Sequence, residues 1–189
     1  MIIDLGTGDG RAVLAAAARD SGSLVLGVDA NAASMAESSR RAYRSPRKGG
    51  LPNAVFVVSA AEALPAELEG SADQVTVLFP WGSLLRGALG LDEGVAEAIA
   101  GLLKRGGRLR VVLSVAPRDG IAEIPCLDES AVADVARRQA CHGLDLVAAG
   151  LATAEDLALI RSSWAGRLRS EPSRAVWLLE FRRRAAGQC

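Results

Sequence analysis

Short apolar runs alternate along the chain with longer stretches in which apolar residues recur every three or four positions. Met1–Asp4, Leu24–Val28, Ala54–Val58, Asp73–Phe79, Arg108–Val115, Leu144–Leu151 and Ala175–Phe181 read as strands. Arg11–Arg19, Ala32–Arg44, Glu93–Lys104 and Leu127–Cys141 carry the helical period, the third stopping at Gly106-Gly107. Thr153–Ile160 opens a further short helix, with Thr153 as its cap and Asp156 three residues on. Arg44–Asn53 and Val115–Pro125 read as loops from their glycine and proline content. Strands alternating with helices in this way predict an α/β fold: a doubly wound, mostly parallel, seven-stranded Rossmann-like sheet, here in a single domain over residues 1–189.

In such sheets ligands bind at the carboxyl ends of the strands, and the informative residues fall there. Asp4-Leu5-Gly6-Thr7-Gly8-Asp9-Gly10 ends the first strand and opens a helix. The glycines allow a tight turn and close approach to a ligand. A pyrophosphate-binding loop has the spacing G-x-G-x-x-G; here it is G-x-G-x-G, with an acid two residues before the first glycine. That acid suits a cationic ligand, and S-adenosylmethionine carries both an ammonium and a sulfonium. Asp29 ends the second strand, 19 residues after Gly10, where a carboxylate can accept both ribose hydroxyls. The plainer alternative is that Asp29 caps the next helix. Ser59-Ala60-Ala61-Glu62 follows the third strand, with small residues that leave room for an adenine ring; Glu62 could equally be an ordinary surface acid. Three such elements, in order at three successive strand ends, predict an S-adenosylmethionine-dependent methyltransferase.

The fourth strand ends in Leu78-Phe79-Pro80-Trp81-Gly82-Ser83. Many enzymes that methylate exocyclic amines carry Asn/Asp-Pro-Pro-Tyr/Phe here, and the polar side chain accepts an amine proton. Phe79 stands in the acceptor's place. A ring nitrogen offers a lone pair and needs no such acceptor, so the motif predicts attack by a ring nitrogen of a base stacked on Trp81. Core packing is the alternative for Trp81. Trp164, in Arg161–Arg169, supplies a second ring, and two rings can sandwich a flipped base. Trp177 lies within an apolar strand and reads as core.

Charge changes this picture only locally. Lys plus Arg and Asp plus Glu each number 22, so the bulk balance does not announce a nucleic-acid binder. Arg40, Arg41, Arg44, Arg47 and Lys48 nevertheless fall within nine positions, and Arg167, Arg169 and Arg174 follow Trp164. Arginine forks suit phosphate; for Arg40, Arg41 and Arg44 a solvated helix end is the alternative. Arg182–Arg184 reads as a solvated tail. Three dispersed cysteines and one histidine form no CxxC or Cys/His cluster, so neither disulfides nor a metal are expected. No apolar run reaches the roughly 18 residues of a membrane span, and no signal peptide opens the chain, so a cytoplasmic monomer is expected.

Ile3–Gly10, Pro46–Gly50, Ala60-Ala61-Glu62, Phe79–Ser83 and Ser163–Leu168 together resemble the aminoglycoside-resistance 16S rRNA adenine methyltransferases. That family adopts the class I methyltransferase sheet and methylates the 1-position ring nitrogen of an adenosine in the decoding-site helix of the 30S subunit. The resemblance runs from Ile2 to about Phe181, and Phe-Pro-Trp-Gly is its most specific part. It implies that Trp81 and Trp164 hold the flipped adenine and that Ser162 has a polar role near it, making these three the candidate catalytic residues. It implies cofactor contacts around Asp4, Gly6, Gly8, Gly10, Asp29, Ala30, Ala61, Glu62, Leu78 and Ser83. It implies rRNA contacts through the basic loop before the third strand and through Arg167, Arg169 and Arg174. Family members carry a hairpin ahead of strand 1, and that extension is expected to be absent here. Two other readings stay open on the sequence: a methyltransferase of a small aromatic metabolite, which would need no arginine clusters, and a non-catalytic rRNA-binding protein that retains a cofactor pocket.

Overall fold

The computed structural model describes residues 1–115, 124, 127–160 and 175–185. Its strands are β1 (Ile2–Leu5), β2 (Val25–Asp29), β3 (Ala54–Val58), β4 (Ala72–Leu78), β5 (Leu103–Leu113), β6 (Leu144–Leu151) and β7 (Trp177–Arg183). They form one sheet in the order β3-β2-β1-β4-β5-β7-β6. The first five in that order run parallel, and β7 pairs antiparallel with both β5 and β6. The chain therefore winds outward from β1 through β2 to β3, then returns to β4 on the other side of β1. Helices leave neighbouring strand ends in opposite directions at such a reversal, which opens a crevice at the carboxyl ends of β1 and β4.

The helices are α1 (Arg11–Arg19), α2 (Ala32–Ala42), α3 (Gly82–Ala88), α4 (Glu93–Leu102), α5 (Glu129–Cys141) and α6 (Ala154–Leu159). The main core joins Ile3, Leu5, Val75, Val77, Leu109 and Val111 of the central strands to Ile99 of α4 and Val135 of α5. Each such side chain contributes roughly 1.5–3 kcal/mol when taken out of water. A second cluster packs Val13, Leu14 and Ala17 of α1 on Val25 and Ala54. Trp177 is half-buried against the main core. At the far end of α3, the fully buried Gln139 of α5 donates from Nε2 to the carbonyls of Gly87 and Ala88, each at 2.9 Å.

Four elements differ from the sequence expectation. Arg182–Arg184 is not a solvated tail: β7 takes in Arg182 and Arg183, and Arg184 pairs with Asp145 at 2.7 Å. Helix α2 ends at Ala42, not Arg44, and a single 3-10 turn over Pro46–Lys48 follows; proline disfavours helix at the residue before it. Helix α4 stops at Leu102 and β5 begins at once, because the fully buried Leu103 pairs with Ala72. A register shift between Ala72 and Gln74 then absorbs Lys104–Gly107, and regular pairing resumes at Arg108. Helix α3 is not anticipated by the sequence pattern at all. The Thr153 capping box is present: the Thr153 hydroxyl accepts from Asp156 N, and Asp156 accepts from Thr153 N at 2.9 Å.

Candidate active site

A cavity of about 340 Å³ opens at the carboxyl ends of β1, β2 and β4, where the strand order reverses. Its floor is the loop after β1. Gly6, Gly8 and Gly10 all have positive φ (74, 59 and 72°), a region that disfavours any residue with a Cβ. A side chain at Gly8 would meet nothing within 4 Å, so the backbone there lies open to a ligand. Gly10 differs: it is buried, and a Cβ would sit 2.5 Å from the Phe56 ring. Gly6 and Gly8 line the cavity, whereas Gly10 packs beneath it at the start of α1.

Asp4 is 3% exposed. Its Oδ1 accepts a 2.6 Å hydrogen bond from the Thr76 hydroxyl, while its Oδ2 has no partner among the described residues. Burial lifts the Asp4 carboxyl to about 6; the Thr76 and Thr7 hydroxyls pull it down, and the charges of Asp29 and Asp9 add to the rise. A buried carboxylate oxygen without a donor costs several kcal/mol unless a cation or donor is brought to it, and this one borders the cavity.

Asp29 closes β2 and is half-buried. Its Oδ2 accepts from Gly8 N at 2.8 Å and its Oδ1 from Asn31 N at 2.8 Å. The helix cap is Asn31, whose side chain accepts from Ala33 N and Ser34 N, so the capping alternative for Asp29 does not hold. Each carboxylate oxygen accepts more than one hydrogen bond, which leaves Asp29 capacity for hydroxyl donors on the cavity side. After β3, the Ser59 hydroxyl donates to Ala63 O at 2.7 Å and tightens the turn over Ala61–Ala63. Ala61 is buried in the core and Glu62 is exposed at the cavity wall. Ala30, Leu78 and Ser83 complete the wall. Asp4, Asp9, Asp29 and Glu62 face this cavity, and no Lys, Arg or His is among its described lining residues. Such a field repels phosphate and attracts a cation.

Phe79 has φ +50°, the only positive φ outside glycine among the described residues. Its side chain is buried against Val112, Ile160 and Val176. Strain of this kind persists only where the surroundings hold it; here the Phe79 N–H donates to Val112 O at 2.6 Å. The turn it makes puts Pro80 and Trp81 at the cavity's edge, and Gly82 (φ 57°) starts α3. Trp81 is 45% exposed, which excludes the core-packing alternative for its ring.

The basic residues before β3 lie elsewhere, on the end of α2 and the following loop. Arg40 is held by Glu37 at 2.9 Å. Arg41, Arg44, Arg47 and Lys48 are exposed and form no ion pair with any described residue. Ser162, Trp164, Arg167, Arg169 and Arg174 lie outside the described residues. Sequence reasoning missed Thr76, whose position opposite Asp4 depends on strand register and leaves no local signal.

The family model of NpmA, 16S rRNA (adenine(1408)-N(1))-methyltransferase, matches residues 1–182. The 16S rRNA (adenine(1408)-N(1))-methyltransferase of Escherichia coli is 38% identical over 122 residues, 65% of this chain and 56% of that protein. The enzyme of the same description from Streptoalloteichus tenebrarius is 35% identical over 180 residues, 92% of this chain and 82% of that protein. Among solved structures, a mutant of the 16S rRNA (adenine(1408)-N(1))-methyltransferase from Catenulisporales acidiphilia with cosubstrate SAM superposes with a TM-score of 0.89 at 35% identity, covering 100% of this chain and 87% of that one. The sheet order, the acid-lined cavity with Trp81 at its edge and these likenesses agree: the chain belongs to the family of 16S rRNA (adenine(1408)-N(1))-methyltransferases.

Proposed function

We propose that this protein transfers a methyl group from S-adenosylmethionine to the 1-position ring nitrogen of an adenosine in 16S rRNA within the 30S subunit, and that the modification protects the cell from aminoglycosides bound there. The observation that carries the reading is a half-exposed Trp81 at the edge of a cavity lined by four carboxylates and no described base. Bound in that cavity, S-adenosylmethionine supplies a methyl group made electrophilic by its sulfonium. The chain's residues fit it. Asp4 offers the unpaired Oδ2 to an ammonium, Asp29 offers lone pairs to ribose hydroxyls, and the Ala60–Ala61 turn leaves space for an adenine ring.

Trp81 gives the target base a flat apolar surface and fixes the direction from which its ring nitrogen approaches. On sequence grounds Trp164 is assigned the opposite face of the target base and Ser162 a polar role near it. No side chain has to remove a proton, because an adenine ring nitrogen carries a free lone pair and the methylated base leaves as a cation. The absence of histidine among the described lining residues is consistent with that chemistry. Arg41, Arg44, Arg47 and Lys48, with Arg167, Arg169 and Arg174, are assigned to rRNA phosphates.

The test is methyl transfer from labelled cofactor to intact 30S subunits, with naked 16S rRNA and small aromatic compounds alongside. Methylation at this nitrogen blocks Watson–Crick pairing, so reverse transcription stops at the modified base. The expected result is label in 30S subunits and a single new stop at a decoding-site adenosine. Label in small compounds alone would establish the metabolite reading, and no transfer with intact 30S binding would establish the non-catalytic one.

A further inference from the structure

The chain has one tyrosine, and it stands almost entirely in water: Tyr43, at the carboxyl end of α2, is 94% exposed. The ring belongs to a pinned loop. Tyr43 N donates to Ser39 O at 3.0 Å, Gly50 N to Ser45 O at 3.1 Å and Leu51 N to Ala42 O at 2.9 Å. Gly50 is buried, and a Cβ there would lie 1.6 Å from Arg44 O, so the returning backbone runs in direct contact with the outgoing one. Beside Tyr43 is a depression of about 480 Å³, walled by Leu51, Pro52, Val55 and Phe56, with Arg44 at its margin. It shares no lining residue with the acid-lined cavity.

Residues 32–50 contain five basic side chains and one acid, Glu37, which Arg40 already holds. The surface therefore combines a free aromatic ring, an apolar recess and a positive margin on a loop that loses little freedom when it binds. An unpaired nucleotide has the complementary parts: a base to stack on the ring and enter the recess, and a phosphate for the arginines. A lipid headgroup supplies the charge but no flat ring face, and a peptide does so only where an aromatic residue lies beside its anionic group, whereas every nucleotide carries both. We infer that Tyr43 and the recess beside it form a second nucleotide site, which takes an unpaired rRNA nucleotide other than the one methylated and so anchors the subunit. The inference rests on the proposed rRNA substrate.

The test compares wild type, Tyr43→Ala and Tyr43→Trp for binding to 30S subunits across a range of salt. Tyr43→Ala should bind roughly five- to hundredfold more weakly. Its salt slope should match wild type, because a stacking contact releases no counterions, whereas Arg44→Glu should flatten the slope. Tyr43→Trp should bind as tightly as wild type or tighter. A photoreactive phenylalanine derivative at position 43 should cross-link to rRNA. Equal affinity for Tyr43→Ala, or cross-links confined to a ribosomal protein, would overturn the inference while leaving the methylation reading intact. If wild type neither bound nor methylated 30S subunits, the underlying reading itself would fail.

Discussion

The Thr76 hydroxyl donates a 2.6 Å hydrogen bond to Oδ1 of Asp4, its register partner on the adjacent strand. This bond fixes the carboxylate plane and commits one oxygen, so that the other is the one left for a ligand. Arg110 continues the same row on β5 and holds Asp156 at 3.1 Å, which ties the start of α6 to the sheet beside the site. Thr76 is thus a positioning residue for Asp4.

Thr76→Val keeps the shape and removes the donor. The bond is present before the cofactor arrives, so its loss reaches affinity through the ionisation and orientation of Asp4, and cofactor affinity at pH 7.5 should fall roughly three- to tenfold. The pH at which affinity begins to fall should also move upward, because the Thr76 hydroxyl, more than that of Thr7, lowers the Asp4 carboxyl against its burial. Thr76→Ser should restore both. Calorimetry over pH 5.5–8.5 reads them, and a variant with wild-type affinity and pH profile would remove Thr76 from the site.

Asp4 makes a separate prediction about stability. Its carboxyl is raised from 3.8 to about 6 in the folded chain, so between those values the folded state binds the proton more tightly than the unfolded state. The ionised group then costs the ligand-free protein about 3 kcal/mol above pH 6, and the cost disappears as pH falls toward 4. Asp4→Asn should melt higher than wild type at pH 8, with the gap closing by pH 5, and should lose cofactor binding. Wild-type affinity should itself decline below about pH 6. Lower melting of Asp4→Asn at pH 8 would show that the carboxylate stabilises the free protein.

Much of this was readable along the chain. Alternating apolar runs located all seven strands, and the Thr153-to-Asp156 spacing gave a capping box that the structure contains. The parts that were not readable depend on non-local contacts. Helix α3 has only seven residues and no side-chain cap, too short for a period to register. Leu103 looked helical because a glycine pair follows it, but pairing with Ala72 makes it sheet. The pairing of Asp4 with Thr76 spans 72 residues. Phe79 was read as filling an amine acceptor's place; the structure buries its side chain with Val112 and Ile160, and its positive φ sets the direction of Trp81.

Asp29→Ala removes the lone pairs assigned to the ribose and also the acceptor for Gly8 N. Cofactor affinity should fall by at least 1.5–3 kcal/mol, with the far-ultraviolet spectrum unchanged. Asp29→Asn retains one oxygen and should lose less. Unchanged affinity in the alanine variant would place the ribose elsewhere.

Gln139→Leu strands the carbonyl of Ala88 in the interior, while Gly87 O keeps the Gly90 N–H at 3.0 Å. Unfolding free energy should drop by about 1–3 kcal/mol, read from urea titration. A drop below about 0.5 kcal/mol would mean that the Ala88 carbonyl finds another donor.

The central claim is that the base to be methylated is held against Trp81 beside the methyl donor. Single-turnover methylation of saturating 30S subunits by Trp81→Ala and Trp81→Phe tests it most directly. A lost stacking contact of roughly 1–3 kcal/mol predicts a tenfold to hundredfold slower transfer for Trp81→Ala, partial recovery in Trp81→Phe, and unchanged subunit and cofactor affinity in both. Transfer by Trp81→Ala at the wild-type rate would contradict the account.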